Sequence, residues 1–494
     1  MMTLLFFSGV AVLLTVEGRW LVAAIARENL TRSEEWALGF PMGTFANALL
    51  FFICTVGGIP LNALAVFGGH LGIVIIAFAV SSRVATPSTP FDTPSLRLGL
   101  LPPSLKLRRT GRVTRRGISR DFNFKKYLLP ILLTLAILIK LFYGISHALL
   151  PSYSYDTVSQ WNMRAKISYE DRAIAFDRDE VRGMSKPQYP ILFHSLQIVF
   201  NLPQKEWQDP VANGATLLLS LTSFLAFFLL LRRLAGSFAA LVTLACILTI
   251  PLLSIHLAQG YGDIHVLTYV LLGAVLLLHS FERNQGNQGN QQELLLLSAI
   301  FVAASAWVKQ EGMVFGVVPW MVIVGIGTGK FEGLKVGRFR GLEVLKFGGL
   351  VFLLSLPWTL FLLIKELPLS PHGGGDLMMG WHPEGVPLAL KALFAGGSFG
   401  MHWYIVIGLL LSVLFERVRR GRQIEKSMFL IFLWGIITFF GALFIFLCTS
   451  NIEFLMNAQT FSRTMLLPLS LLILGTVPLF YYNGSHDAEG SSRS

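Results

Sequence analysis

The stretch that decides the fold is YLLPILLTLAILIKLFYGISHALL (Tyr127–Leu150), which is followed at once by PSYSYDTVSQWNMRAK (Pro151–Lys166). The first run is apolar and longer than the roughly 20 residues that a helix needs to cross a bilayer. The second run is polar and carries Asp156 a few residues beyond the end of the apolar run. An ionisable group where a membrane helix emerges is a candidate functional residue.

Apolar runs of this length recur along the chain. Of its 494 residues 53% are hydrophobic and 14% are charged, whereas a soluble domain carries roughly 25% charged residues. The composition therefore predicts an all-α integral membrane protein, a polytopic helical bundle with about 13 transmembrane helices. We place them at Leu4–Ala26, Met42–Pro60, Leu61–Ser81, Tyr127–Leu150, Val211–Arg233, Phe238–Ile255, Ile264–Phe281, Leu294–Val308, Met313–Ile326, Phe347–Ile364, Met401–Phe415, Met428–Cys448 and Met465–Tyr482.

The formal net charge of +12 does not indicate nucleic-acid binding, because the basic residues cluster in loops between apolar runs, as the positive-inside rule expects. The Pro-, Ser- and Thr-rich segment Arg83–Lys126 is the most basic and is predicted to be a flexible cytoplasmic linker. The three cysteines lie in apolar runs without metal-ligand spacing, which favours small buried hydrophobic side chains.

The charge pattern divides the chain into four parts. Residues 1–82 are predicted to form accessory transmembrane helices, 83–126 the basic cytoplasmic linker, 127–482 the transmembrane catalytic region and 483–494 a polar cytoplasmic tail. Glu17 and Arg19 interrupt the first helix and are costly within a membrane unless they are paired or snorkel.

Counting crossings from the cytoplasmic linker brings five polar segments to the opposite, external face. They are Tyr155–Lys166, Gly260–Asp263, Lys309–Gly312, Pro371–Glu384 and Asn457–Arg463. Ionisable residues that gather on one face predict a shared site formed by external loops. The alternative is that they are solvated loop residues, which suits Asp376 and Glu384 better than Lys309 and Glu311, since apolar helices flank the last two.

Each of these residues has a candidate role. Asp156 is the candidate general base, and the alternative is that it caps a helix beginning near Thr157. Lys309 and Arg463 are suited to a phosphate leaving group. Asp263 is suited to a sugar hydroxyl, to orienting Asp156, or together with Asp156 to a divalent metal, although no metal or other cofactor is certain. The remaining substrate-binding candidates are Trp161, Lys166, Tyr189, His256, Tyr261 and Glu311.

Two structural alternatives stay open. Trp161, Tyr189 and Tyr261 are suited to stacking on a sugar ring, but aromatic residues also anchor helices at the membrane interface. Ile191–Phe200, within the polar, Pro-rich segment Ile167–Gln204, is predicted to be a short helix lying along the membrane surface, or a simple connector.

The chain contains no Walker-type loop, no Gly-x-Gly-x-x-Gly after a strand and no His-Glu-x-x-His. Those motifs mark nucleotide and zinc sites. Without a nucleotide-binding fold, a sugar donor would be lipid-linked rather than nucleotide-linked.

These motifs together resemble a known family. Asp156 with Trp161 and Lys166, Tyr189-Pro190, Gly260–Asp263, Lys309–Gly312 and Arg463 before an apolar helix are similar to the GT-C superfamily of integral-membrane glycosyltransferases. The resemblance is strongest to the bacterial branch similar to dolichyl-phosphate-mannose-protein mannosyltransferases, and it covers Tyr127–Tyr482. The N-terminal helices lie outside the pattern, and Gln188 stands where that pattern has an acidic residue.

The resemblance implies a GT-C-like fold and an inverting transfer. Asp156 would deprotonate a hydroxyl on a glycan, lipid or protein acceptor, and the hydroxyl would attack the anomeric carbon as a polyprenyl phosphate leaves. The expected location is the bacterial plasma membrane with the site facing outward, among membrane lipids and without nucleic acid. The competing hypotheses are a transporter or flippase of a lipid-linked glycan, which typically shows paired repeats with broken helices, and a glycan polymerase or ligase.

Overall fold

The computed structural model of the chain describes residues 2–26, 29–84, 124–176, 186, 188–282, 288–328, 341–369, 379–420, 426–456 and 459–490. Over these ranges the chain forms helices, and the only β-type pairing described is an isolated bridge between Met379 and Thr449. The predicted fold class, an all-α polytopic helical bundle, is confirmed.

The helices follow one another along the chain with short connections. They are α1 Met2–Ala26, α2 Arg32–Val56, α3 Ala63–Val84, α4 Phe124–Ala148, α5 Asn162–Asp171, α6 Leu192–Asn201, α7 Asp209–Leu248, α8 Pro251–Gln259, α9 Gly262–Glu282, α10 Gln288–Ala306, α11 Val318–Thr328, α12 Gly341–Ile364, α13 Gly385–Phe394, α14 His402–Arg420, α15 Lys426–Leu447, α16 Ile452–Met456 and α17 Gln459–Gly490. Two short π-helices precede α5 and α11, at Thr157–Trp161 and Gly312–Val317.

Nine helices within the described ranges are long and apolar enough to span a membrane: α1, α2, α3, α4, α7, α9, α12, α15 and α17. Helix α7 covers two predicted helices, which meet at a kink at Gly236. The φ of Gly236 is 82°, a conformation that glycine adopts without a steric penalty. Shorter apolar helices occupy the other predicted positions, at Gln291–Ala306, Gly312–Gly327 and His402–Phe415. The number of membrane crossings stays a prediction.

Several predicted helix boundaries were wrong, and two of them have a clear local cause. Helix α2 begins at Arg32 rather than at Met42, because Thr31 and Glu34 form a reciprocal capping box that starts the helix ten residues earlier. The helix predicted over Phe238–Ile255 ends at Leu248, since Pro251 begins a separate helix, α8.

Helix α6 corrects the expectation of a helix on the membrane surface. All ten of its residues are buried, and it packs against α2, α5 and α7. The apolar and polar residues alternate as on an amphipathic helix, but the polar side chains His194, Ser195 and Gln197 face neighbouring helices instead of lipid headgroups. The sequence pattern shows that a helix has a polar side without showing what covers it.

The N-terminal helices pack tightly on one another and on the rest of the bundle. A Cβ on Gly18 would lie 1.9 Å from the carbonyl oxygen of Gly39, so α1 and α2 approach at small residues, as membrane helices commonly do. The Tyr269 hydroxyl on α9 donates a hydrogen bond of 2.8 Å to the carbonyl of Pro41 on α2. The division of the chain into accessory and catalytic parts stays a prediction, and residues 85–123 of the basic linker lie outside the described ranges.

The charged residues of α1 are paired, as the cost of charge within a membrane requires. Glu17 bonds to His70 at 2.6 Å with both side chains fully buried, and Arg19 lies 3.4 Å from Glu35. The cysteines are free thiols, with Cys54 buried and the other two partly buried.

Candidate active site

Asp156 and Arg463 form an ion pair, although 307 positions separate them. Asp156 lies just before the first π-helix, and Arg463 lies in the first turns of α17. The two side chains are 21% and 20% exposed, so the pair is open to a ligand without being fully solvated. Gln160 donates a longer hydrogen bond of 3.3 Å to the Oδ1 of Asp156.

The alternative role of Asp156 as a helix cap is wrong. Its backbone is already helical, with φ −63° and ψ −37°, and its side chain makes no capping hydrogen bond. A capping residue has an extended backbone and accepts a bond from the first turn. The carboxylate instead points towards Arg463 and Gln160.

Lys309 joins two further carboxylates. Its ammonium lies 2.8 Å from Asp263 and 2.9 Å from Glu311, and its side chain is only 7% exposed. Burial by itself lowers the pKa of Lys309, but the carboxylates of Asp263 and Glu311 outweigh it and raise the pKa above its usual value. Lys309 is therefore a fixed positive charge at neutral pH.

Each π-helix begins directly after a candidate acidic residue. Asp156 precedes Thr157–Trp161, and Glu311 precedes Gly312–Val317. At the second, Gly312 permits a close approach, since a Cβ there would lie 2.1 Å from the carbonyl oxygen of Ser305. π-Helical turns are rare and frequent at functional sites, where they redirect side chains.

His256 and Tyr261 form one side of the site. Their rings stack at 4.4 Å with an interplanar angle of 17°, and the guanidinium of Arg463 lies 5.6 Å from the Tyr261 ring. Burial lowers the pKa of His256 to about 4, against the opposing effect of Asp263. His256 is therefore neutral at pH 7, and it contributes a hydrogen-bonding group rather than a charge.

Several buried polar atoms of these residues have no hydrogen-bond partner within the described part of the chain. They are Nδ1 of His256, Oδ2 of Asp263, Oε2 of Glu311 and Nε of Arg463. The first two are 3.8 Å apart, which is too long for a direct hydrogen bond. Buried polar groups are normally satisfied, so these atoms indicate a place for a polar ligand.

Trp161 and Tyr189 form an aromatic wall beside Lys309. Their rings stack at 4.6 Å, and the Lys309 ammonium lies 5.9 Å and 5.8 Å from the two ring centres. Trp161 also stacks on His194, with ring centres 5.6 Å apart. Both residues of the wall are buried, so neither is an anchor at the membrane interface, and their contact with a sugar stays a prediction.

Tyr189 is held in place by a buried arginine that the sequence did not single out. Arg164 donates to the carbonyl of Tyr189, and its Nε donates 3.1 Å to the carbonyl of Ala175. Burial lowers the pKa of Arg164 to about 9, so it remains charged at neutral pH. The same burial raises the pKa of the Tyr189 phenol above its usual value.

The structure leaves one candidate, Lys166, outside the charged cluster of Asp156, Asp263, Lys309, Glu311 and Arg463. Lys166 is exposed on α5, and none of the contacts described for the clustered residues reaches it. Burial lowers the pKa of Lys186, and the nearby charges of Asp156, Lys309, Arg463 and Glu311 act on it in opposite directions, so Lys186 lies close to the cluster. Gln188 contributes its carbonyl, which accepts hydrogen bonds from Gln310 at 2.9 Å and from Trp358 at 3.2 Å.

The missed residues gave different signals in the sequence. Gln160 lies four positions after Asp156, which is the spacing of neighbours on a helix. Arg164 and Lys186 carried no such signal. Arg164 reaches Tyr189, and Lys186 reaches the charged residues, only through the packing of the segments between Asp156 and Tyr189. Glu384 is 66% exposed, in agreement with a solvated loop residue, and Asp376 lies outside the described ranges.

The donor set fits a divalent metal poorly. Asp156 is occupied by Arg463, and one oxygen of Asp263 is occupied by Lys309. No group of three or more His, Cys, Asp or Glu residues suited to a metal occurs in the described part of the chain. Two cations already neutralise these carboxylates, so we derive no step through a metal.

The cluster lines a small cavity that opens beside a larger cleft. The cavity has a volume of only about 20 Å³, and its walls are Asp263, Lys309, Glu311 and Arg463 together with Val266, Phe315, Thr464, Leu466 and Leu467. The adjoining cleft has a volume of about 210 Å³ and shares Glu311, Phe315 and Thr464 with it. Its other walls are mostly apolar, formed by Val314, Leu369, Ile445, Phe446 and Phe454 with the polar residues Gln310, Asn451 and Thr460. A polar cavity joined to an apolar cleft is suited to an amphipathic molecule.

The chain is similar in overall fold to ArnT from Cupriavidus metallidurans. Its crystal structure bound to undecaprenyl phosphate superposes with a TM-score of 0.49 at 14% identity, over 70% of this chain and 59% of that one. The apo crystal structure gives the same TM-score at 13% identity, over 72% and 60%. This chain thus matches about three fifths of the length of ArnT. No protein-family model and no curated protein matches the sequence.

Proposed function

We propose that the chain is a membrane glycosyltransferase that moves a sugar from a polyprenyl-phosphate donor to an acceptor hydroxyl. The observation that carries the proposal is the convergence of a carboxylate, Asp156, with a guanidinium, Arg463, from opposite ends of the catalytic region. A base for a hydroxyl and a cation for a phosphate are the two groups that such a transfer needs in one place.

Asp156 is the general base in this proposal. The guanidinium of Arg463 holds this carboxylate while no substrate is bound. A donor phosphate competes for the same guanidinium, because arginine binds phosphate and carboxylate with the same fork of N–H donors. Phosphate binding thus frees an oxygen of Asp156 to take the proton of the acceptor hydroxyl. The hydroxyl oxygen then bonds to the anomeric carbon as the bond from that carbon to the phosphate oxygen breaks, with inversion.

The phosphate is held by cations from two directions. Arg463 and Lys309 both line the small cavity, with Lys309 fixed between Asp263 and Glu311. These charges stabilise the negative charge that develops on the leaving phosphate. The unpartnered oxygens of Asp263 and Glu311 and the unpartnered Nδ1 of His256 are suited to sugar hydroxyls.

The adjoining cleft provides room for the apolar part of the substrate. Its volume of about 210 Å³ and apolar lining fit the first isoprene units of a lipid carrier, whose phosphate would reach the cavity at Glu311 and Thr464. Undecaprenyl phosphate, the lipid bound in one ArnT structure, belongs to this class of molecule.

The test is Asp156→Asn in purified protein with a panel of undecaprenyl-phosphate-linked sugars and a membrane lipid extract as acceptor. Asparagine keeps the shape of the side chain and loses its basicity. We expect transfer to fall by about 10² to 10⁴, while donor binding measured by native mass spectrometry is retained. Glu170→Gln, which changes an exposed carboxylate on α5, is the matched control and should leave transfer unchanged.

The other outcomes separate the alternatives. Full transfer by the Asp156→Asn variant contradicts the role of Asp156 as base. Donor binding without transfer in the wild-type protein, combined with movement of the lipid between leaflets of a vesicle, indicates a transporter or flippase. Elongation of a lipid-linked glycan indicates a polymerase or ligase.

A further inference from the structure

A buried polar chain crosses the N-terminal helices. Glu17 on α1 bonds to Nδ1 of His70 on α3 at 2.6 Å, and Nε2 of His70 lies 3.1 Å from Oδ1 of Asn47 on α2. The side chains of Glu17 and His70 are fully buried, and Asn47 is 0% exposed. Such groups are rare within a membrane and generally have a function.

The chain continues into α6. Asn47 donates 3.0 Å to the hydroxyl of Ser195, and that hydroxyl donates 3.0 Å to the carbonyl of Leu192. Because Ser195 uses its hydroxyl proton in the bond to Leu192, its oxygen accepts the hydrogen bond from the amide of Asn47. The amide nitrogen of Asn47 therefore faces Ser195, and its oxygen faces His70.

These directions determine the protonation of His70. An amide oxygen only accepts hydrogen bonds, so Nε2 of His70 must carry a proton. The contact between Nδ1 and Glu17 then requires a second proton, because a bare nitrogen would repel a bare carboxylate. That proton lies on the imidazole or on the carboxyl, and in both cases the pair has no net charge.

The charges near this pair do not supply an alternative partner. On the neighbouring elements Arg19 pairs with Glu35 at 3.4 Å, and Arg233 of α7 pairs with Glu34 at 2.8 Å. The only titratable group on α6, His194, stacks on Trp161. The second carboxyl oxygen of Glu17, Oε1, is buried without a hydrogen-bond partner in the described part of the chain, which makes an uncompensated charge there costly.

We propose that Glu17 and His70 form a proton-binding site that docks the N-terminal helices on α6. The proton shared by Glu17 and His70 joins α1 to α3. The proton on Nε2 of His70 then joins α3, through Asn47, to Ser195 on α6. Ser195 is adjacent to His194, which stacks on Trp161 of the aromatic wall. The N-terminal helices thus position one side of the candidate active site. This positioning role does not depend on which reaction the site performs.

The first experiment reads the protonation of His70 directly. Nitrogen-15 histidine spectra of the protein in bilayers near neutral pH are recorded, and His70 is assigned by its loss in His70→Gln. We expect a protonated Nε2, together with either a protonated Nδ1 or an infrared band of a protonated carboxyl that disappears in Glu17→Gln. A bare Nε2, or a neutral ring beside an ionised Glu17 with a bare Nδ1, overturns the proposal.

The second experiment measures docking through amide hydrogen exchange of α6, with α15 as the internal reference. Glu17→Gln supplies an N–H in place of the bound proton, so exchange in α6 should match the wild type. Glu17→Ala leaves Nδ1 unsatisfied, and exchange in α6 should rise about tenfold or more. Equal exchange in the Ala and Gln variants, or a rise of the same size in α15, contradicts docking by the bound proton.

Discussion

The ammonium of Lys309 lies 2.8 Å from the Oδ1 of Asp263, and neither side chain is more than 11% exposed. The same ammonium lies 2.9 Å from Glu311, so one cation stands between two carboxylates. Removing one member of a buried ion pair leaves the other charge uncompensated. Lys309 is consequently important for folding as well as a candidate for binding phosphate.

Lys309→Met should destabilise the protein by about 3 to 5 kcal/mol, the usual cost of leaving a buried charge without its partner. The measurement is thermal or denaturant unfolding in detergent micelles. Adding Asp263→Asn to Lys309→Met removes one of the two uncompensated charges, so the double variant should be more stable than Lys309→Met alone. A double variant that is less stable than the single variant contradicts this account of the pair.

His256 should make the protein less stable in acid. Its folded pKa of about 4 is below the unfolded value of about 6.5, so the unfolded state binds more protons between these values. The contribution to stability is complete above about pH 6.5 and is lost as the pH falls towards about 4, by about 3 kcal/mol in total. Unfolding midpoints over this range should fall more steeply in the wild type than in His256→Gln. Parallel curves for the two proteins contradict the depressed pKa.

The topology predicted from charge places Asp156 outside and the linker at 83–126 inside. A membrane-impermeant maleimide added to intact cells should modify Ser159→Cys and spare Thr110→Cys. The parent protein controls for the three native cysteines, of which Cys54 is buried. Labelling of Thr110→Cys alone reverses the topology and removes the argument for an external site.

The clustering of charges could be predicted because the membrane restricts where they can lie. Apolar runs fix the order of the crossings, and alternate loops then share one face. Asp156, Asp263, Lys309, Glu311 and Arg463 were placed together on this basis, and the structure brings their side chains together. Their chemical roles stay predictions, since proximity does not establish catalysis.

Other features depend on packing that no local pattern reveals. The burial of α6 follows from the helices that cover it, and the pairing of Glu17 with His70 depends on the approach of α1 and α3. No characteristic sequence pattern marks the π-helices that follow Asp156 and Glu311. Lys166 and Gln160 illustrate the same limit, because both lie near Asp156 in sequence and only Gln160 contacts it.

Arg463 is the residue whose variants best separate phosphate binding from simple anchoring at a helix end. Arg463→Ala removes the charge and leaves Asp156 without its partner. Arg463→Lys keeps the charge but loses the forked geometry that suits phosphate. We expect binding of an undecaprenyl-phosphate sugar, measured by native mass spectrometry, to weaken more in the alanine variant than in the lysine variant.

The size of the loss follows from the contacts. Hydrogen bonds to charged groups contribute about 1.5 to 3 kcal/mol, so Arg463→Ala should weaken donor binding by roughly 10- to 150-fold. Arg419→Ala, which removes an exposed arginine of α14, is the control and should bind the donor as the wild type does. If Arg463→Ala and Arg419→Ala bind equally well, Arg463 is only a positive anchor at the start of α17, and the cation for the leaving phosphate must be sought at Lys309 or Lys186.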